Sequence, residues 1–225
     1  MKLSDQTISV LKNFSNINSG IYFQEGKVLK TVAPSKAILA EATIEEDIPI
    51  DFGIYDLTRL LGILTLFENP EVTFQDKFLT LHNSSGPKCK FSYCDPSLVV
   101  RPPEGKNVQL PTEDVQFRLS KNDFESSMKA SAILQYPEIA IEGDKNVISI
   151  MVVDSKNKMS DVYSLPVGET DKEFKFIFKV ENFSKLMAKD YMVKLSQKGL
   201  SNFESSDKSI SYFVALEPNS EFKND

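Results

Sequence analysis

Few residues in this sequence could carry chemistry. Cys89 and Cys94 are the only cysteines and His82 is the only histidine in 225 residues. A tetrahedral zinc site takes about four such ligands, so these three do not complete one. No motif sets either cysteine beside a histidine as a nucleophile pair, and in a reducing cytoplasm both read as free thiols. Glu45-Glu46-Asp47 forms a tight acidic cluster that reads as a solvated loop rather than a metal site. Paired carboxylates for acid–base work need a shared environment that spacing alone does not supply. There is no glycine-rich phosphate loop, no Gly-x-Ser-x-Gly elbow and no second histidine for a triad. Asn-Phe-Ser occurs at Asn13 and Asn182, but both fall on predicted helices. The expectation is a protein without catalytic residues, cofactor or metal.

What remains is charge and apolar surface. Lys and Arg total 26 against 32 Asp and Glu, a formal charge of −6. That balance excludes wrapping nucleic acid with the whole surface, but not binding it with one face where cations gather. Four segments read as helices by their apolar spacing and end signals. The first runs from Asp5 to Ile17 behind Ser4, with Ile8, Leu11, Phe14 and Ile17 in register. The second runs from Asp56 to Phe67, with Leu57, Leu60, Leu61 and Leu64 on one stripe and Asn69-Pro70 as its stop. The third starts at Ser120, with Asp123 as a capping partner, Phe124, Met128 and Ala132 as its stripe, and Tyr136-Pro137 at its end. The fourth is short, from Val180 to Ala188, with Phe183, Leu186 and Met187 apolar. At about 100° per residue, each stripe leaves an opposite face that carries a cation: Lys12, Arg59, Lys129 and Lys185 in turn. On pattern alone the favoured reading of these four is ordinary solvated lysines and arginines.

The elements between the helices read as short strands, among them Val28–Val32, Phe78–His82, Val115–Leu119, Val147–Val153, Phe174–Phe178 and Ile210–Leu216. The order helix, strands, helix, strands occurs twice, with helix starts about 51 and about 60 residues apart. Between the halves, Asp95–Asp114 holds Pro96, Pro102, Pro103, Gly105 and Pro111, a composition for an extended connector. This gives an α+β chain of two similar domains, 1–100 and 114–225, joined by a connector over 101–113. The N-terminus turns polar at once and no apolar run approaches 18 residues, so the expected protein is soluble and not membrane-bound.

Several strings, in this order and spacing, carry a resemblance over nearly the whole chain. They are Met1-Lys2-Leu3-Ser4, Leu11-Lys12-Asn13-Phe14, Ile17-Asn18-Ser19-Gly20-Ile21, Ile54-Tyr55-Asp56-Leu57, Leu61-Gly62-Ile63-Leu64, Asp95-Pro96-Ser97, Val99-Val100 and Tyr212-Phe213-Val214-Ala215-Leu216-Glu217. The chain resembles the DNA polymerase sliding clamps, or processivity factors, of T-even-type tailed bacteriophages. Asn83–Cys89 and Asp154–Lys172 match poorly, and nothing is carried over there. The resemblance implies the DNA clamp fold and a homotrimeric ring that encircles duplex DNA without reading its sequence, with helices lining the hole. It implies as partners the phage replicative polymerase, an ATP-dependent clamp loader and the late-transcription machinery with the host RNA polymerase, all in the cytoplasm of an infected bacterium. Under it, Lys12, Arg59, Lys129 and Lys185 face DNA, where a modest set of cations suits sliding. The alternatives are a ring-forming scaffold that does not encircle DNA and, less favoured, an enzyme.

A platform for several partners needs an exposed apolar patch. The expected components are Leu98, Val99 and Val100 in the connector, with Tyr212, Val214, Leu216 and Pro218 near the C-terminus. In sliding clamps generally, peptide tails bind in that neighbourhood. Val214 and Leu216 read equally as core.

Overall fold

The structure is a computed structural model that describes residues 1–84, 86–103, 108–157 and 159–223. Contacts divide the chain into two compact units, Met1–Lys106 and Asn107–Asp225.

Unit 1 holds α1 (Asp5–Ile17), β1 (Ile21–Phe23), β2 (Gly26–Val32), β3 (Ile38–Ile48), β4 (Phe52–Ile54), α2 (Leu57–Leu64), β5 (Glu71–Phe74), β6 (Phe78–His82), β7 (Lys88–Ser92) and a 3-10 turn at Pro96–Leu98. Helix α1 forms where its signals place it. The Ser4 hydroxyl accepts the Thr7 N–H at 3.2 Å, and Val10, Leu11, Phe14 and Ile17 are buried. Asp56 caps α2 by accepting the Arg59 N–H at 2.8 Å, and its four leucines are buried. Burying side chains of this size stabilises by roughly 1.5–3 kcal/mol each, far more than the helical propensity of eight residues. The strands are antiparallel: β1 pairs with β4, β2 with β3, and β5–β6–β7 form a sheet that ends at β7.

Unit 2 holds β8 (Val115–Leu119), α3 (Lys121–Leu134), β9 (Glu138–Asp144), β10 (Val147–Val153), β11 (Tyr163–Glu169), β12 (Glu173–Lys179), α4 (Val180–Phe183), β13 (Tyr191–Ser196), β14 (Leu200–Ser205), β15 (Ile210–Ala215) and β16 (Glu221–Lys223). One antiparallel sheet runs β11-β10-β9-β12-β16, and β8-β13-β14-β15 form another. The alternation after Glu173 is real: Phe174, Phe176 and Phe178 are buried while Lys179 is exposed. Phe174 stands opposite Gly143, and a methyl group there would lie 2.3 Å from the Phe174 ring, so glycine is the residue that fits. Phe124, Phe178, Phe183, Phe203, Tyr191 and Tyr212 interlock mostly edge to face, at centroid separations of 5.5–6.3 Å.

Three sequence expectations change. The acidic cluster is not a loop, since Glu45, Glu46 and Asp47 belong to β3. The Glu46 carboxylate accepts the Ser4 N–H and the Thr7 hydroxyl at the start of α1. Partial burial opposes its ionisation, but the bonds from Thr7 and Ser4 outweigh it and hold the carboxyl below its usual range. Second, the buried face of α3 is Phe124, Ser127 and Ser131, one position off the expected stripe; Met128 is half-buried and Ala132 exposed. Small serines let the helix lie close on the sheet, and Ser127 satisfies its hydroxyl on the Asp123 carbonyl at 2.8 Å. Third, α4 ends at Phe183, not Ala188. The Tyr191 hydroxyl donates to the Met187 carbonyl, and the Met187 N–H donates to the Tyr212 hydroxyl at 3.3 Å, which holds residues after α4 in a turn.

Replacing Glu46 by Gln is expected to lower stability at pH 7 by about 0.5–2 kcal/mol, the usual size of a lost cap. Because the folded-state pKa is depressed, the carboxylate's contribution is present above about pH 4.5 and is lost as pH falls. Urea midpoints of the parent and E46Q should converge in acid. A gap that is constant with pH would contradict the capping role.

Candidate DNA-facing and partner-binding surfaces

Lys12 on α1, Arg59 on α2 and Lys129 on α3 are all exposed. Each lies away from its helix's buried face, as the periodicity requires. Lys129 also lines a groove between α3 and β11, with Ile133, Asp161, Val162 and Tyr163. Lys185 differs from the other three. It lies beyond α4 in the turn where its N–H donates to the Asn182 carbonyl at 3.1 Å, and it is half-buried.

The apolar candidates divide. Leu98 is 61% and Val100 43% exposed, so both offer surface. Val99 between them is buried against Gly20 and Gly53 and acts as the anchor of this segment. The Asn18 side chain donates to the Val100 carbonyl at 3.1 Å and to the Val32 carbonyl at 3.0 Å, tying the segment to the end of α1. Beside it, the Arg101 guanidinium carbon stands 4.6 Å from the centre of the Tyr22 ring. Tyr212 and Val214 are fully buried and present nothing to a partner, because β15 turns Ile210, Tyr212 and Val214 into the core. Burial pushes the hydroxyls of Tyr191 and Tyr212 well above the usual tyrosine range, so both stay protonated in their bonds around Met187. Leu216 is half-buried, and its N–H donates to the Gly199 carbonyl at 3.0 Å; Pro218 is exposed.

Exposed apolar surface that the sequence reading missed lies in both units, at Tyr55 and Leu66 in unit 1 and at three positions in unit 2. Ile133 is 75%, Met159 93% and Val162 54% exposed. The one available hint was that the stripe assigned to α3 left Ile133 without a buried position. The remaining chemical candidates have structural partners. The His82 Nε2 and the Thr73 hydroxyl are hydrogen-bonded at 3.0 Å. Both cysteines are half-buried free thiols, and burial pushes the Cys94 thiol up. Among the described residues, no three His, Cys, Asp or Glu side chains gather as a metal site, and no helix is long and apolar enough to cross a membrane.

Two units of one plan, each with helices packed on antiparallel strands, make up the clamp fold. The A. fulgidus PCNA, solved with the C-terminal region of FEN-1 bound, superposes with a TM-score of 0.69 over 98% of each chain at 17% identity. Residues 3–87 match the family model described as DNA polymerase processivity factor, and residues 116–218 match that of the gp45 sliding clamp, C terminal. The sliding clamp of Vibrio phage KVP40 is 35% identical over 224 residues, 96% of this chain and 99% of that protein. The sliding clamp of Enterobacteria phage T4 is 33% identical over 232 residues, 98% of each. The chain therefore belongs to the phage sliding clamps, the processivity factors of phage DNA polymerase.

Proposed function

We propose that three copies of this chain close head to tail into a ring around duplex DNA and hold the phage replicative polymerase to its template. The observation that carries this reading is identity of about a third with proteins named sliding clamps over almost their full length. Lys12, Arg59, Lys129 and Lys185 supply the lining, where each phosphate contact is weak and shared. A clamp loader driven by ATP opens the ring, and the late-transcription machinery uses the same platform, which comprises Leu98, Val100, Leu216 and Pro218. Residues 101–113 act as the connector between domains 1–100 and 114–225, with residues 104–107 outside the described part.

What supports the head-to-tail arrangement is the character of two outer strands. β7 ends its sheet in unit 1 and brings Lys88 and Lys90 without an acidic residue. β11 ends its sheet in unit 2 and lies among Asp161, Glu169 and Asp171, beside the exposed Ile133 and Val162. An unpaired edge of one charge fits an unpaired edge of the other.

The test is polymerase synthesis on primed DNA with loader and ATP. The parent should support long products. Replacing Lys12, Arg59, Lys129 and Lys185 together by Ala should shorten them more than any single change, with the gap narrowing as salt rises, since the parent has more phosphate contacts to be screened. Equal stimulation by the parent and the quadruple variant at every salt concentration would remove these four from the lining.

A further inference from the structure

Asn18 follows the last residue of α1 and is 6% exposed. Its whole amide is engaged. The oxygen accepts the Gly20 N–H at 3.1 Å, an Asx turn that leads the chain out of the helix. The nitrogen donates to the Val32 carbonyl at the end of β2 at 3.0 Å and to the Val100 carbonyl at 3.1 Å. The reversed amide would set its oxygen against two carbonyl oxygens, so the neighbours themselves dictate its orientation. One residue on, the Ser19 carbonyl accepts the Leu57 N–H, the first of α2, at 2.7 Å. The end of α1, the start of α2, the end of β2 and the segment around Val100 therefore meet at one turn. The fold leaves room there for the segment. A methyl group on Gly20 would stand 3.5 Å from the Val99 Cγ1, and one on Gly53 would stand 3.7 Å from its Cγ2 and 3.0 Å from the Cys94 Sγ.

Unit 2 repeats this joint without the amide. There the Val180 N–H donates to the Pro137 carbonyl at 2.9 Å, as Leu57 does to Ser19, so Tyr136 stands in the place of Asn18. The returning chain of unit 2 turns at Pro218-Asn219 into β16, which pairs along β12. The buried amide is thus found in the unit whose chain crosses the end of its first helix, and the joint forms in the other unit without it. We propose that Asn18 is a positioning residue for the polymerase. Buried and out of a partner's reach, it holds the backbone that presents Leu98 and Val100, at a fixed place on the helices that carry Lys12 and Arg59. A segment held in advance loses little freedom on binding, so more of the contact energy remains as affinity. This rests on the reading of Leu98 and Val100 as partner surface.

The variant that isolates this role is N18S. A serine hydroxyl accepts the Gly20 N–H in a turn of the same kind but is too short to hold Val100. N18A removes all three bonds. The measured quantity is the polymerase concentration that gives half-maximal synthesis of long products with loader and ATP. N18S should raise it by about tenfold, and N18A by at least as much, while the maximum at saturating polymerase and retention on closed circular DNA stay parental. A residue that only stabilises the fold would instead lower retention and the maximum at unchanged half-saturation, and that result overturns the proposal. So does parental half-saturation in both variants. A second measurement needs neither DNA nor polymerase. The Leu98 and Val99 N–H groups donate to the Asp95 and Pro96 carbonyls at 3.0 and 3.3 Å. In the parent their hydrogen exchange should be slowed by at least about tenfold relative to an unstructured chain, and N18S should remove most of that protection while the strands of unit 2 keep theirs. Exchange of both amides at the unstructured rate in the parent overturns the proposal without any variant. If changing Leu98 and Val100 together to Asp leaves synthesis parental, the reading of the partner surface fails. If that change abolishes long products while N18S and N18A match the parent, only the role of Asn18 fails.

Discussion

Replacing Ile133 and Val162 together by Glu is expected to leave the protein monomeric at concentrations where the parent assembles into the proposed ring. Both side chains are largely exposed, at 75% and 54%, so the change leaves the fold almost untouched, within about 0.5 kcal/mol per site. In an assembled ring they would be covered by the next subunit's basic β7 edge. Losing two buried aliphatic side chains removes roughly 3–6 kcal/mol of apolar burial per interface. Placing two carboxylates there adds a desolvation cost that Lys88 and Lys90 offset only in part. Each 1.4 kcal/mol is about tenfold in affinity, so a shift of at least about a hundredfold follows. Sedimentation should show monomer with a far-UV circular dichroism spectrum like the parent's, and a lower unfolding temperature from the lost assembly. A stable trimer of this variant would place the interface elsewhere in unit 2.

Replacing Leu98 and Val100 together by Asp should leave assembly and loading intact and abolish long products. Their exposure and the burial of Val99 between them make the substitution safe for folding, because Val99 and the Asn18 bonds still fix the segment. Two apolar contacts contribute on the order of 3 kcal/mol to a peptide that binds weakly, enough to lower occupancy by about a hundredfold. Primer-extension products should shrink toward the length made without the clamp. Products of parental length would assign the polymerase contact to the subunit interface.

The sequence was readable where local signals agreed and was not where distant contacts decided. Ser4, Phe14 and Ile17 define α1 because cap, stripe and end coincide within one segment. Apolar spacing alone carries α4 on to Ala188, but Tyr191 and Tyr212, strands away, capture Met187 and end it. The face of α3 was misplaced because burial goes to Ser127 and Ser131, and a hydrophobicity pattern has no way to count serines as core. Strand β15 carries large apolar residues on both faces, so the pattern alone did not say that Tyr212 and Val214, rather than Phe213, point inward. Glu46 looked like a solvated loop charge because its partners, Ser4 and Thr7, lie about 40 residues away. The exposed cations on α1 to α3 were legible, since a stripe that is correct on average still fixes the opposite side of a helix.

In the proposed ring, DNA is held by enclosure and not by affinity for its surface. The direct measurement is retention on DNA after loading with ATP and loader, followed at high salt on a closed circle and again after a single cut. A ring slides off a linear end but cannot leave a circle, so the labelled protein should stay on circular DNA through washes that screen phosphate contacts and should leave promptly once the circle is opened. Equal loss from circular and linear DNA under those washes would contradict enclosure and leave only surface binding.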